Sequence, residues 1–391
     1  MIFVLILLLV MAIVGWHLSK DIFAPYVVAP GVWSVIILIY YLLPSELYPI
    51  RNDFPMALTV WSLGFFVSSC AAEYFTSGTS RLSVPKIPNM KILWVYVLIT
   101  LTIVPVLCIT VFVIALLEEP ETMFNYLRIM NTGLDENIEA PDFGPLVYCI
   151  SVAYVTLFFV MTYLNKKWII YSVFFVNILY AFISMAKTNF LCVLFASLYL
   201  GYIRKIISKK QLLYGFLVFI IICFAVQIAR LGDDFSMLEF LSTYLSSSMV
   251  AFDYFAEPSS SIHFGENTFR LFYAIAYALG SGIQPVQTIL EFVSVPISTN
   301  TYTCLYPFYT DFGFVGLFVF SAIYGIFFGF LYKKNKSNSN FAQILYAIFL
   351  TFLLLEFIGE FIFTNLSLNI QYVVLTFLPF MFSKKEEVCK R

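Results

Sequence analysis

Three cations, Lys187, Arg230 and Arg270, stand beside apolar runs, where ionisable side chains are costly and usually functional. Lys187 lies in Ser-Met-Ala-Lys-Thr-Asn between two apolar runs, Arg230 ends another, and Arg270 follows Glu-Asn-Thr-Phe. A guanidinium is a planar fork that grips phosphate at two points, and an ammonium adds a compact charge. Brought together, the three would hold a diphosphate. Each also has a plainer reading: Lys187 snorkels, and the arginines pair with Asp233, Asp234 or Glu266. Arg128, in an acidic stretch, is a weaker fourth candidate. His263, in Ser-Ile-His-Phe-Gly-Glu, either takes a proton near neutral pH or is a hydrogen-bonded surface residue. Glu356 and Glu360 stand one helical turn apart and either relay protons or form an ion pair that fixes packing. With two histidines and no Asp-x-Asp, the chain shows no metal-ligand constellation.

The elements that must position these groups are membrane helices. The chain is 61% hydrophobic and 12% charged, with a mean hydropathy of +0.91, whereas soluble domains carry about 25% charged residues. A span needs ~20 apolar residues. Eleven segments approach that: 1–18, 26–43, 56–73, 92–117, 145–164, 168–186, 188–203, 211–229, 313–332, 341–360 and 366–382. Continuous runs of this length exclude alternating barrel strands. The first has no basic n-region or clear cleavage site and reads as a span, and no soluble domain is expected at either end. The chain is thus expected to be one all-α polytopic membrane domain over 1–391. Seven scattered cysteines fit neither a zinc site nor a disulfide framework and read as small packing residues. A net charge of −1 excludes a nucleic-acid footprint.

Orientation follows from the short basic segments. Those around Lys86, Lys166, Arg204, Lys334 and Lys385 read as cytoplasmic, with an even number of spans between them. The opposite side then receives the acidic loop 118–144, the long polar segment 230–312 and the N-terminus, leaving the C-terminus inside. Lys187, Arg230 and Arg270 all fall on the outer side. Within 230–312, Leu238, Leu241, Leu245, Met249 and Phe252 recur at helical spacing with Ser242, Ser246 and Ser247 between them, predicting an amphipathic helix on the membrane or on the spans. Residues 269–279 are apolar but are cut short by Gly280, Gly282 and Pro285, predicting a broken or re-entrant helix. No internal repeat is visible, unlike transporters built from duplicated halves.

Residues 299–316 read Thr-Asn-Thr-Tyr-Thr-Cys-Leu-Tyr-Pro-Phe-Tyr-Thr-Asp-Phe-Gly-Phe-Val-Gly and open an apolar span. This resembles the late signature of bacterial oligosaccharide repeat-unit polymerases, the O-antigen and capsule polymerases, through Asn300, Tyr302, Thr303, Tyr309, Asp311, Gly313 and Gly316. Lys187-Thr188 resembles the family's basic-Thr corner, where Arg is commoner, and Arg230 leaving a span into a large outer loop fits as well. The resemblance implies a fold like the C-type membrane glycosyltransferases and a metal-independent enzyme of the bacterial inner membrane. It would transfer a glycan from undecaprenyl diphosphate onto a lipid-linked acceptor at the periplasmic face, alongside a flippase and a chain-length regulator. Arg230, Arg270 and Lys187 would take the diphosphate, and His263, Asp311 or Glu266 the acceptor's proton. Beside that reading, Asp311 is placed to cap a helix, Gly313 and Gly316 permit close backbone approach, and Tyr302, Tyr306 and Tyr309 either stack on sugars or sit at the interface. An O-antigen ligase and a transporter of lipid-linked sugars remain alternatives.

Overall fold

The computed structural model describes residues 1–76, 87–132, 138, 141–164, 166–208, 210–211, 213–215, 217–218, 221, 237–258, 263–287, 289–337 and 339–382. The described chain is almost entirely helical and divides into two compact units. Unit 1 holds Met1–Thr79, Phe235–Ser337 and Phe352–Asn369, and unit 2 holds the remainder. Six helices are long and apolar enough to cross a membrane: Ile2–Ser19, Pro25–Leu42, Asp53–Phe75, Met90–Glu118, Gly144–Tyr163 and Tyr306–Lys336. Four apolar helices are shorter: Lys167–Ile183, Lys187–Ile203, Asn340–Leu354 and Leu366–Met381. Most of the expected span at 211–229 lies outside the described residues. Among the described residues six helices reach spanning length and four more are apolar but shorter.

Unit 2 is built on α4 (Met90–Glu118), α5 (Met123–Thr132), α6 (Tyr148–Tyr163), α7 (Lys167–Ile183) and α8 (Lys187–Ile203). α4 packs against α6 and α7. Val104, Cys108, Ala115, Ala153 and Val176 form their shared core. Buried Asn177 bridges two of these helices by donating to the carbonyls of Ala153 (3.1 Å) and Val173 (2.9 Å). In an apolar interior such a side chain is held only where its polar ends are satisfied.

Unit 1 contains α1 (Ile2–Ser19), α2 (Pro25–Leu42), α3 (Asp53–Phe75), α9 (Met237–Phe255), α10 (Arg270–Ala278) and α11 (Tyr306–Lys336). Its spine is the α3–α11 pair. Gly64, Ser68 and Ala72 on α3 face Ser321, Gly325 and Gly329 on α11. Both rows have a four-residue step of small side chains, the pattern that lets membrane helices approach backbone to backbone. Because the facing numbers rise together, the two helices run parallel. Their first residues therefore share one end of unit 1, with Trp61 stacked on Phe308 nearby at 5.5 Å. At their other end the Tyr332 hydroxyl donates to Asp21 (2.8 Å), the Tyr26 hydroxyl donates to Glu73 (2.6 Å), and Lys336 pairs with Glu73 (3.3 Å).

Two expectations need correction. The helix predicted around 238–252 exists as α9, but it does not lie with its serines outward. Leu245, Met249 and Phe252 are buried, and so are Ser242, Ser246, Ser247 and Ser248. The small serines allow protein to close around the helix, and Ser248 donates to the Phe357 carbonyl. Glu356 and Glu360 do not share a helical face. The helix Asn340–Leu354, α12, stops short of both, and a non-helical stretch carries them before α13 (Leu366–Met381). Both are buried. Glu356 accepts from the Trp33 indole at 3.0 Å, and Glu360 accepts from the Tyr324 hydroxyl and from the N–H groups of Ile362 (2.6 Å), Phe363 (2.9 Å) and Thr364 (2.6 Å). Backbone and aromatic donors, not a cation, hold the two carboxylates, which satisfies the amides freed where the helix breaks.

Candidate functional site

The site is assembled from the start of α11 and the turn that leads into α10. α11 is not regular: at Gly313 the backbone takes φ 60° and ψ −149°, a conformation open essentially to glycine alone. The chain then folds back so tightly that a side chain at Gly316 would overlap the Phe308 carbonyl. Asp311 lies just before this kink. It does not cap its own helix, as the sequence suggested. Its carboxylate reaches across to the preceding turn and accepts from the Asn267 N–H (3.3 Å), the Asn267 side-chain amide (2.8 Å) and the Thr268 N–H (2.7 Å). The Thr268 hydroxyl donates to Pro307 O at 3.3 Å.

That turn is pinned on a second side by aromatic packing. Phe264 stands 5.0 Å from Phe312, and Phe269 stands 6.1 Å from Phe320, centroid to centroid. Gly265 takes φ +68°, and a Cβ there would press into the Phe269 and Phe312 rings. Beyond the turn, α10 presents an apolar face outward: Phe272 is 58% exposed and Leu279, at its end, 83%. Phe264, Phe269, Phe272, Tyr273 and Ala276 line an open groove of about 410 Å³. Gly280 and Gly282, both at positive φ, end α10 after nine residues. This short helix matches the broken helix expected from the sequence.

The predicted polar residues divide over the structure. His263, Glu266, Arg270 and Asp311 all belong to this cluster. His263 is exposed, with its ring 6.3 Å from Tyr273. The Tyr273 hydroxyl donates to Phe264 O at 2.9 Å. Burial first, then the charges of Glu266 and Asp311, raise the Tyr273 phenol above its ordinary value. Arg270 is the first residue of α10 and is half-buried, and burial lowers its guanidinium below the ordinary value. Lys187 opens α8 in unit 2 and is half-buried. Arg230 lies outside the described residues. Tyr302 and Tyr309 are buried rather than presented: Tyr302 packs on Tyr306 (4.5 Å), and Tyr309 packs on Phe252 (5.2 Å). Burial pushes the Tyr302 phenol up to about 12. Asn300 is half-buried in the loop after the β1–β2 hairpin, strands Val293–Ser294 and Ser298–Thr299.

Two residues were missed. Arg51 lies in the loop between α2 and α3, and Asp253 is a buried carboxylate in the otherwise apolar run Ala-Phe-Asp-Tyr-Phe. Both signals were readable, a lone cation between two spans and a charge inside an apolar helix.

Chemically, the apolar groove is built on the same turn and short helix that carry His263, Glu266 and Arg270, a combination that suits an amphiphile with an anionic head. Among the described residues no three His, Cys, Asp or Glu side chains gather as a metal site requires. Replacing Gly313 with Ala is expected to straighten the kink at a cost of about 1–3 kcal/mol. It would also withdraw Asp311 from Thr268, which thermal melting and hydrogen exchange at 264–270 would register. Comparison with protein-family models, with curated proteins and with solved structures finds no match for this chain.

Proposed function

We propose that the protein polymerises undecaprenyl-diphosphate-linked oligosaccharide repeat units at the periplasmic face of the bacterial inner membrane, with eleven spans and the 230–312 segment outside. The supporting observation is that Asp311 of the Tyr-Thr-Asp-Phe-Gly run is bonded to the turn that carries His263, Glu266 and Arg270. The sequence likeness and the spatial cluster meet at Asp311. In this reading an acceptor hydroxyl attacks the anomeric carbon of the donor glycan. The new C–O bond forms as the bond to the lipid diphosphate breaks, and the diphosphate leaves with the electron pair. Arg270 holds that leaving group and stabilises its developing charge. His263, Glu266 or Asp311 accepts the hydroxyl proton. The apolar groove takes the polyprenyl chain next to its head group.

The test is a gel of surface glycan from a deletion strain complemented with Arg270→Glu. Long chains are expected to vanish while single attached repeats and normal protein levels persist. Loss of every attached repeat would instead indicate a ligase. Single repeats trapped on the cytoplasmic leaflet would indicate a transporter, and wild-type chains would remove Arg270 from the mechanism.

A further inference from the structure

Arg51, in Tyr-Pro-Ile-Arg-Asn-Asp, is exposed and yet held in place. Its guanidinium lies over the Tyr254 ring, 3.7 Å from the centroid. The exposed Tyr48 ring stands 5.2 Å from Tyr254. The backbone beneath is fixed from three sides. Buried Asp253 accepts the N–H of Arg51 and that of Phe54, the latter at 2.8 Å. The Tyr254 hydroxyl donates to Pro49 O at 3.0 Å. The Tyr40 hydroxyl accepts from the Ile50 N–H (3.2 Å) and donates to Tyr48 O (3.3 Å).

A surface arginine usually loses much of its binding energy to side-chain entropy. Here stacking fixes the plane of the group and the buried carboxylate fixes its base, so that cost is met before any ligand arrives. Tyr254 covers one face of the guanidinium, while its N–H donors point along the plane and stay at the edge. Asp253 makes no salt bridge with the guanidinium; its oxygens take backbone N–H groups.

We propose that Arg51, with Tyr48 and Tyr254, forms an oxyanion-binding site for a phosphate or carboxylate group, carried either on a lipid head or on a glycan. It lies at the end of unit 1 where α3 and α11 begin, the end that also carries Asp311. The site needs no glycan transfer, so a failed polymerase assay leaves it standing.

Titration calorimetry on the full-length protein in neutral detergent tests it, with inorganic pyrophosphate as probe. In an Arg270→Gln background, the further change in affinity on altering Arg51 reports on this site. Adding Arg51→Gln is expected to weaken binding at least about tenfold, because a charge-assisted bidentate pair is lost. Arg51→Lys keeps the charge but not the fork and should fall between the two, which serves if the Gln variant melts early. Flotation with phosphatidylglycerol against phosphatidylcholine vesicles, and titration with glucuronate against glucose, distinguish a lipid from a glycan source. If neither the Gln nor the Lys variant changes the affinity for pyrophosphate, the site does not exist.

Discussion

Replacing Asp311 with Ala is expected to abolish long glycan chains and to raise hydrogen exchange across 264–278, while the α3–α11 pair keeps its protection. The carboxylate accepts three hydrogen bonds from Asn267 and Thr268. Removing it leaves two backbone N–H groups and a side-chain amide to find water, and a stranded buried donor costs about 1–3 kcal/mol. The turn is only partly buried, so the lower part of that range applies to each. Two or three such losses still exceed what a nine-residue helix with an exposed apolar face can absorb. Arg270 and Glu266 would then sample many positions, and a group misplaced by about 1 Å can cost a hundredfold in rate. Asp311→Asn separates a strut from a proton acceptor. Asn keeps one accepting oxygen but turns an N–H₂ group toward the N–H donors of the turn, so a strut should show faster exchange and shorter chains together. A proton acceptor should show lost chains with near wild-type exchange. Wild-type exchange and wild-type chains in the Ala variant would defeat both roles.

The helical membrane class was legible because continuous apolar runs have few other physical solutions. The short α10 was legible from Gly280 and Gly282, since glycine at positive φ ends a helix cheaply. The role of Asp311 was half legible. An acid before a span reads as a cap, but capping is a local rule, and Asp311 bonds to a turn 43 and 44 residues earlier in the chain. Glu356 and Glu360 misled for the opposite reason. Their four-residue spacing implies a shared helical face only if the helix continues, and α12 stops before both. The serines of α9 misled because polarity alone does not tell an exposed face from a tightly packed one, and a small hydroxyl serves either. Arg51 went unnoticed because its meaning comes from Tyr254 and Asp253, more than two hundred residues away.

The other large effect concerns the frame rather than the chemistry. Gly325→Ala and Gly329→Leu are expected to cost most or all of the folded protein, while Gly31→Ala, also within a helix, is expected to be neutral or slightly stabilising. At Gly325 an added Cβ would lie 2.5 Å from the Phe65 carbonyl oxygen and 2.9 Å from the Ser69 nitrogen. At Gly329 it would overlap the Ser69 carbonyl oxygen. Both obstacles are backbone, so no rotamer change relieves them and α3 must move away from α11. Overpacking costs about 1–3 kcal/mol where side chains can shift, and more is expected where a helix must. The separation would also unstack Trp61 from Phe308 and shift the start of α11, where Asp311 and the Gly313 kink are positioned. Gly31 has nothing within 4 Å of a built Cβ, so Ala there should gain the ordinary helical advantage over Gly of about 0.5–1 kcal/mol. Thermal melting of the detergent-solubilised protein, followed by size-exclusion chromatography, compares the three directly. If Gly325→Ala and Gly31→Ala melt alike, the two helices do not meet backbone to backbone, and the frame that holds the site at one end of unit 1 is wrong.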